Sequence, residues 1–492
     1  MALWLMAIHA SPAQPATEAW VKRYDNGMND IATSIATDNA GNVVVTGASS
    51  DDYTTIKYSG AGVPLWTNRY HGPGNGGNQA NAVAVDGNGN AYVTGYSSTS
   101  GGSSDYATIK YSAAGVPLWT NRYNGPGNSD DHAYFLLVVD GGSAVCVTGD
   151  SRGSGATVDY VTIKYSSAGM PLWTNRYNGT GNGDDYPYDL AVDAHSNVVV
   201  TGVSDGGSSL DDYATIKYSG AGVPLWTNRY NGPGNSTDEG IEVAVDANDN
   251  VLVTGISTGG SSDYATIKYS SAGMPLWTNR YNGPANDIDE AYSLAVDTNG
   301  NVFVTGTSVA SVSSGGDFTT LAYSSAGVPL WTNRYNGPGN GYDAAYLIRL
   351  DGSGNVIVGG DSFGDGSGYD YATVAYSGAG VPLWTNRYNG PANVDESFYN
   401  FAVDGSGNVF VTGGSDNGTN YDYATVKYSV VVPIPLSHQI LGNKLVLSWT
   451  NAAFTLQSAP AVQGTYTNIS VAASPYTNSL SGTQRYFRLK KN

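Results

Sequence analysis

The sequence is short of the residues from which most catalytic and redox sites are made. It holds one cysteine, Cys146, and five histidines in 492 residues. A single cysteine excludes an intrachain disulfide framework and any cysteine-rich metal site. Cys146 lies in SAVCVTG, where sister segments carry valine, so it reads as a small buried apolar residue. His9 and His438 lie towards the two ends, and His71, His132 and His195 occupy unrelated positions. No Ser-His-Asp set can be assembled from them. His132 stands beside Asp130 and Asp131, where a lone loop histidine is ordinarily solvated. Charge is also sparse, at 13% of residues, and lopsided, with 22 basic against 41 acidic residues and a net charge of −19. Without a basic stripe or patch, nucleic acid is excluded as a partner. Apolar runs stay well below the roughly 18 residues that a bilayer-spanning helix needs, so no transmembrane segment is expected. The opening MALWLMAIHASPAQP resembles a secretory signal peptide over residues 1–16. It sets the expectation of a soluble, exported protein, secreted or held at the cell surface.

Glycine and tyrosine are plentiful, at 65 and 37 residues, and the chain repeats itself. PLWTNRY recurs unchanged from Pro64, Pro117, Pro171, Pro224, Pro275, Pro329 and Pro382, and a shorter relative, AWVKRY, starts at Ala19. The repeated tryptophans are Trp20, Trp66, Trp119, Trp173, Trp226, Trp277, Trp331 and Trp384, spaced by 46 and then by 51 to 54 residues. Between them lie three further phrases, exemplified by YSLAVD from Tyr292, NVFVTG from Asn301 and DFTTLAYS from Asp317. Each is short, rich in Val, Ile, Thr and Tyr, and bounded by Gly, Asn, Asp, Ser or Pro, the marks of strands and turns. No window shows a 3.6-residue apolar period. Each unit is therefore four strands: A (LAVD), B (NVVVTG), C (DYATIKY) and D (PLWTNRY). The A–B link, as in DGNGN at Asp86, suits a hairpin with a bulge. It lacks the acidic ladder and closing glutamate of a calcium loop.

Tandem four-stranded units of this length describe an all-β, eight-bladed β-propeller. The order is D, then seven complete ABCD units, then ABC, so the N-terminal D strand is expected to close the ring on the last ABC set. Closure removes open sheet edges. Seven blades, with one unit displaced, is the alternative. The expected boundaries are a leader at 1–16, the propeller at 17–429, a linker at 430–437 and a small β-sandwich-like module at 438–492.

LAVDTNGNVFVTG from Leu294 and VAVDGNGNAYVTG from Val83 resemble the bacterial β-propeller repeat family called SBBP, and the related NHL repeat, over about Glu18 to Ser429. The resemblance implies a scaffold, and scaffolds of this kind host many functions. Gly62 followed by Trp66 resembles the tryptophan-docking turn of quinone-dependent dehydrogenase propellers. It implies that the eight repeated tryptophans pack between neighbouring blades, while the lone Cys146 rules out those enzymes' vicinal cysteine pair. The aspartate-bearing turn of propeller sialidases is absent from SGAGVPLW at Ser59. The end of the chain resembles a fibronectin- or immunoglobulin-like module, which at this size has a marginal core.

Charge sorts by position. No acidic residue follows Asp422, so the propeller carries −24 and the tail +5. The D-strand arginines and C-strand lysines recur in phase with C-strand aspartates and read as scaffold pairs. Arg152 and Arg349 fall outside that pattern. The D–A links carry a second acidic population: Asp130, Asp131, Asp184, Asp185, Asp238, Glu239, Asp289, Glu290, Asp343, Asp395 and Glu396. These share a face with the B–C loops, which vary in length and sequence, and loops are where function concentrates. That face is the candidate surface for a protein or polysaccharide partner, with calcium as a possible ligand of the paired carboxylates. The expectation is a monomeric, non-catalytic binding scaffold without a cofactor. An extracellular propeller enzyme acting on glycans and a structural surface or matrix protein are the alternatives.

Overall fold

A computed structural model describes residues 16–74, 76–155, 157–207, 210–311, 315–430, 436–449, 454–461, 464–470, 472–479 and 485–491. The expected leader, apart from Ala16, falls outside the described residues, as does most of the expected linker. The described residues divide into two compact units, 16–430 and 436–491.

The first unit consists of eight four-stranded antiparallel sheets. Seven are built from consecutive strands in the order A-B-C-D. We number them I to VII, from Asp30–Tyr70 to Asp343–Tyr388. In sheet VIII the strands Glu396–Val403, Val409–Asp416 and Tyr421–Ser429 take Thr17–Tyr24 as their outer strand, with Val21 opposite Val426 and Arg23 opposite Ala424. Each A strand touches the A strands of both neighbouring sheets, and VIII touches I, so the sheets form a closed ring around an axis lined by A strands.

The B strands explain the continuous apolar runs. Val198, Val199 and Val200 are all fully buried, because both faces of their sheet are covered by neighbouring blades. The core is correspondingly a series of inter-blade layers. Between III and IV, Val139, Cys146 and Tyr160 of one blade meet Leu190, Val200 and Ile216 of the next. Burial pushes the Cys146 thiol up to about 12, which leaves it an inert apolar filler.

The repeated D strand is a fastener. The Trp66 indole donates to Ala113 O of the next blade at 3.1 Å, and Asn68 donates to Gly115 O at 2.7 Å. Gly115 has φ +83°, and a Cβ there would lie 2.6 Å from Trp66 Cγ, so only glycine both makes the turn and lets the indole settle on it. Trp20 spans the ring closure in the same way, with its indole 3.2 Å from Gly60 O. Six of the eight indoles use equivalent turns, from Trp66 to Trp331. Trp384 differs. It faces sheet VIII, which has no C–D turn, and is buried instead among Ala16, Val409, Tyr428 and Val430.

The second unit comprises two three-stranded sheets enclosing Leu445, Leu447, Trp449 and Leu456. Among the described residues, no helix is long and apolar enough to cross a membrane.

Candidate functional site

Six of the acidic residues nominated from the sequence are not on a binding surface. Asp131, Asp185, Asp238, Asp289 and Asp343 are fully buried and Glu396 is 1% exposed. Each opens an A strand and accepts the backbone N–H of the glycine six residues earlier, as Asp185 does from Gly179 at 2.7 Å. Ser204 of strand B lies beside Asp185 against Gly179 and accepts from Arg229 of strand D, whose Nη1 donates to Ser204 Oγ at 2.6 Å. Arg229 in turn pairs with Asp212 of strand C at 2.9 Å. The network crosses all four strands and recurs around the ring, and every D-strand arginine pairs with its C-strand aspartate. Burial raises these strand-opening carboxyls, Glu396 to about 7, against hydrogen bonds that lower them. The sequence could not separate these residues from their exposed neighbours, because adjacent acidic letters look alike until a strand start assigns one inward.

The remaining five stay accessible. Asp130, Asp184 and Asp395 are exposed and clasp the B–C loops, accepting the backbone N–H of Ser104, Val158 and Tyr369 respectively, each at 2.9 Å. Glu239 and Glu290 are half-buried, at the second position of their A strands.

The opposite face carries the A–B turns, which are internally neutralised. In the turn after strand A of blade V, Asp246 Oδ1 accepts the N–H groups of Asn248 and Asn250, and Oδ2 accepts Asn250 Nδ2 at 2.9 Å and the Lys268 ammonium at 2.8 Å. Against the upward push of burial, the Lys268 hydrogen bond holds this carboxyl below the usual range. The calcium-like spelling of these turns thus encodes a side-chain-capped hairpin. The turns of blades IV and V bring Asp193, His195 and Asp249 together with ligand atoms within 4.8 Å of one another, but Lys217 already pairs with Asp193 at 2.7 Å.

The irregular chemistry lies on the ring axis. Every A–B pairing has a register shift at the same place, for example between Pro187 and Asp189. The skipped residue cannot join the ladder and is aimed into the channel, the usual effect of a β-bulge. Around the ring the skipped residues are Thr33, Asn81, Tyr134, Tyr188, Ile241, Tyr292, Tyr346 and Tyr399, five of eight being tyrosine. All of them line a cavity of about 820 Å³.

Deeper in the same cavity stand Asp189, Glu242 and Arg349. Asp189 accepts the Val243 N–H at 3.0 Å and Glu242 accepts the Leu294 N–H at 2.8 Å, so each clasps the next blade. Arg349 Nη1 reaches across to Glu242 Oε1 at 3.2 Å. Burial, followed by the charge of Glu242, pushes Asp189 up to about 8. Burial raises Glu242 too, with Arg349 opposing. Towards the mouth, His132 and Asp150 are cross-strand partners, with Nδ1 and Oδ1 3.6 Å apart, and Tyr96 sits edge-on to the imidazole at a centroid distance of 4.6 Å. The strand-A reading LAVD omitted the half of the strand that carries this variation. The recurring tyrosine of HAYF, YPYD, EAYS, AAYL and SFYN was the available signal.

Residues 276–310 match the family model described as SBBP, a beta-propeller repeat. A curated relative, an uncharacterized WD repeat-containing protein of Acanthamoeba polyphaga mimivirus, is 23% identical over 423 residues. That alignment takes in 58% of this chain and 30% of the relative, so the chain spans less than a third of the protein it matches. Among solved structures, PorZ, a surface component of the type-IX secretion system of Porphyromonas gingivalis, aligns at 12% identity and a TM-score of 0.40, over 93% of this chain and 76% of that one. The polysaccharide lyase Uly1 aligns at 11% and 0.45, over 74% and 93%. The propeller domain of the trilobed protease of Pyrococcus furiosus aligns at 7% and 0.43, over 72% and 95%.

Proposed function

We propose that this chain, a β-propeller repeat protein, is an exported, non-catalytic binding module that holds a polysaccharide at the mouth of its central channel. The observation that carries this reading is the ring of bulged residues, five of them tyrosines, around a cavity of about 820 Å³. Ligand sites are concave, largely aromatic and furnished with a few placed polar groups. Here the aromatic side chains share the cavity with Thr33, Asn81, Gln79 and Asn400, whose hydroxyl and amide groups are of the kind that pair with sugar hydroxyls. The exposed loop carboxylates Asp130, Asp184 and Asp395 border that mouth as the outer part of the same face.

The test is a glycan-array screen with the full chain, followed by calorimetry on the hits. A Tyr188→Ala/Tyr399→Ala variant is expected to lose at least tenfold in affinity while its melting temperature stays within about 2 °C. Undiminished binding by that variant rules out the channel mouth as the site. A second reading, a glycan-processing enzyme, is favoured by one observation: Asp189, Glu242 and Arg349 form an asymmetric set in the cavity, two carboxyls of which only Glu242 is paired with the arginine. Release of shortened oligosaccharides by the wild type and not by Glu242→Gln would establish it over the first.

A further inference from the structure

The proposed polysaccharide site has a charge character that narrows its ligand. Each tyrosine of the bulge ring has a carboxylate neighbour. Tyr292 donates its hydroxyl to Glu290, and the charge of Asp150 acts on Tyr134. The charge of Glu239 acts on Tyr188, and that of Asp361 acts on both Tyr346 and Tyr399. These carboxylates share one level. Glu239 and Glu290 occupy the strand position at which Gln79 lines the cavity. Asp361 lies across from Ala344 at that same position and accepts the Phe398 N–H at 2.7 Å. Asp150 is 4% exposed, and its Oδ1, facing His132, accepts no hydrogen bond. Below them lies Asp189.

Few cations answer them. Arg349 is engaged by Glu242, His132 lies against Asp150, and Arg152 stands near Tyr186 at the rim. Paired aromatic faces and carboxylates suit one chemistry above others. An ammonium group is attracted to the negative faces of the rings and forms charge-assisted hydrogen bonds to the acids.

We propose that the channel mouth selects an ammonium-bearing glycan, a chain of amino sugars with free amines, held between the tyrosines and Glu239, Glu290 and Asp361. This rests on the polysaccharide reading above and adds the charge of the ligand. It also gives the carboxylates a role that a solubilising surface charge does not have, since they stand on strands next to the channel tyrosines rather than on loop tips.

The test is calorimetry on the full chain at pH 7, where Asp361 is substantially ionised, in 150 mM salt with four tetramers: β-1,4-linked glucosamine, its N-acetylated counterpart, galacturonic acid and lysine. The glucosamine tetramer is expected to bind at least tenfold more tightly than the acetylated one. A Glu239→Gln/Glu290→Gln/Asp361→Asn variant should reduce that preference to under threefold, while an equal loss of charge at Asp130→Asn/Asp184→Asn/Asp395→Asn leaves it intact. Equal binding of the acetylated and free tetramers overturns the charge selection and leaves the glycan reading standing. Binding of tetralysine with none of the sugars overturns both in favour of a basic peptide. Equal loss in the two triple variants overturns the channel assignment, leaving only long-range attraction to an acidic protein. Should the first variant unfold, competition of the wild type by tetramethylammonium supplies the readout, and failure to displace the glucosamine tetramer counts against the proposal.

Discussion

The outer and inner strands of the ring were built under different constraints. Seven D strands spell PLWTNRY without a change, whereas no two of the eight A strands are alike. Six of those seven D strands fasten to a turn of the next blade through tryptophan and asparagine, and the arginine also reaches back, as Arg229 Nη1 does to Tyr177 OH at 3.5 Å. A substitution there disturbs contacts on two sides. An A strand is held by its backbone ladder and its opening side chain, and the bulge takes one residue out of the ladder and turns it to the axis. The repeat therefore fixes the ring from outside and leaves its axis free to differ from blade to blade, which is where a partner-specific surface can develop.

That contrast can be broken at its strongest point. The Lys217–Asp193 pair is 2% and 1% exposed in its side chains at 2.7 Å. Lys217→Ala strands a buried carboxylate and is expected to cost about 3–5 kcal/mol, measured by urea unfolding. Blades VI and VII carry Ala322 and Ala375 at that position, and there the turn aspartates Asp297 and Asp351 are partly open to water. A cost under about 1 kcal/mol for Lys217→Ala would mean that water reaches Asp193 as well.

The ring closure sharpens the same comparison with a smaller effect. Trp384 is 9% exposed, and Asn386 Nδ2 next to it finds no partner, whereas Trp226 stays partly exposed on Gly273 and donates to Ser271 O at 3.1 Å. Trp384→Ala is expected to cost about 3–5 kcal/mol and Trp226→Ala about 2 kcal/mol, in proportion to the area each buries. Equal melting-temperature losses would show that the turn hydrogen bond, present only for Trp226, makes up the difference.

The repeat architecture was legible in the sequence because every blade says the same thing. The four-strand unit, the order D-(ABCD)×7-ABC and the arginine–aspartate pairs all follow from phase, whereas the first half of each A strand does not. The site was legible only in outline. Arg349 stood out as a cation outside the repeat pattern, but its partner Glu242 lies 107 residues away, in a blade two steps round the ring. The acidic D–A links read as one exposed surface, yet their carboxylates divide into buried clasps and accessible groups by the single-residue phase of a strand, which pairs such as Asp184-Asp185 do not reveal. The bulge is a backbone event with no fixed letter, so the ring it creates is visible only once the strands are paired.

The subtlest difference between axis and rim is in their titration. Inside the channel, burial and then Glu242 place the Asp189 carboxyl at about 8, and burial places Asp361 at about 7, both above the 3.8 of a free aspartate. Between about pH 4 and 8 the folded chain keeps protons that the unfolded chain has released, so stability falls as pH rises through that window. Glu396, at about 7, acts in the same direction. On the turn face the sign reverses: against burial, Asp140, Asp193 and Asp246 are held low first by their lysines, and Asp38 by Asn42 and then Lys57, and they weaken the fold only when acid protonates them. The melting temperature is therefore expected to peak near pH 5 and to decline by several degrees towards pH 8. Asp189→Asn keeps an oxygen for the Val243 N–H while removing the largest of these titrations, so its decline should be shallower than that of the wild type. A wild-type profile that is flat from pH 5 to 8 would place Asp189 in water and remove the electrostatic distinction between the axis and the rim.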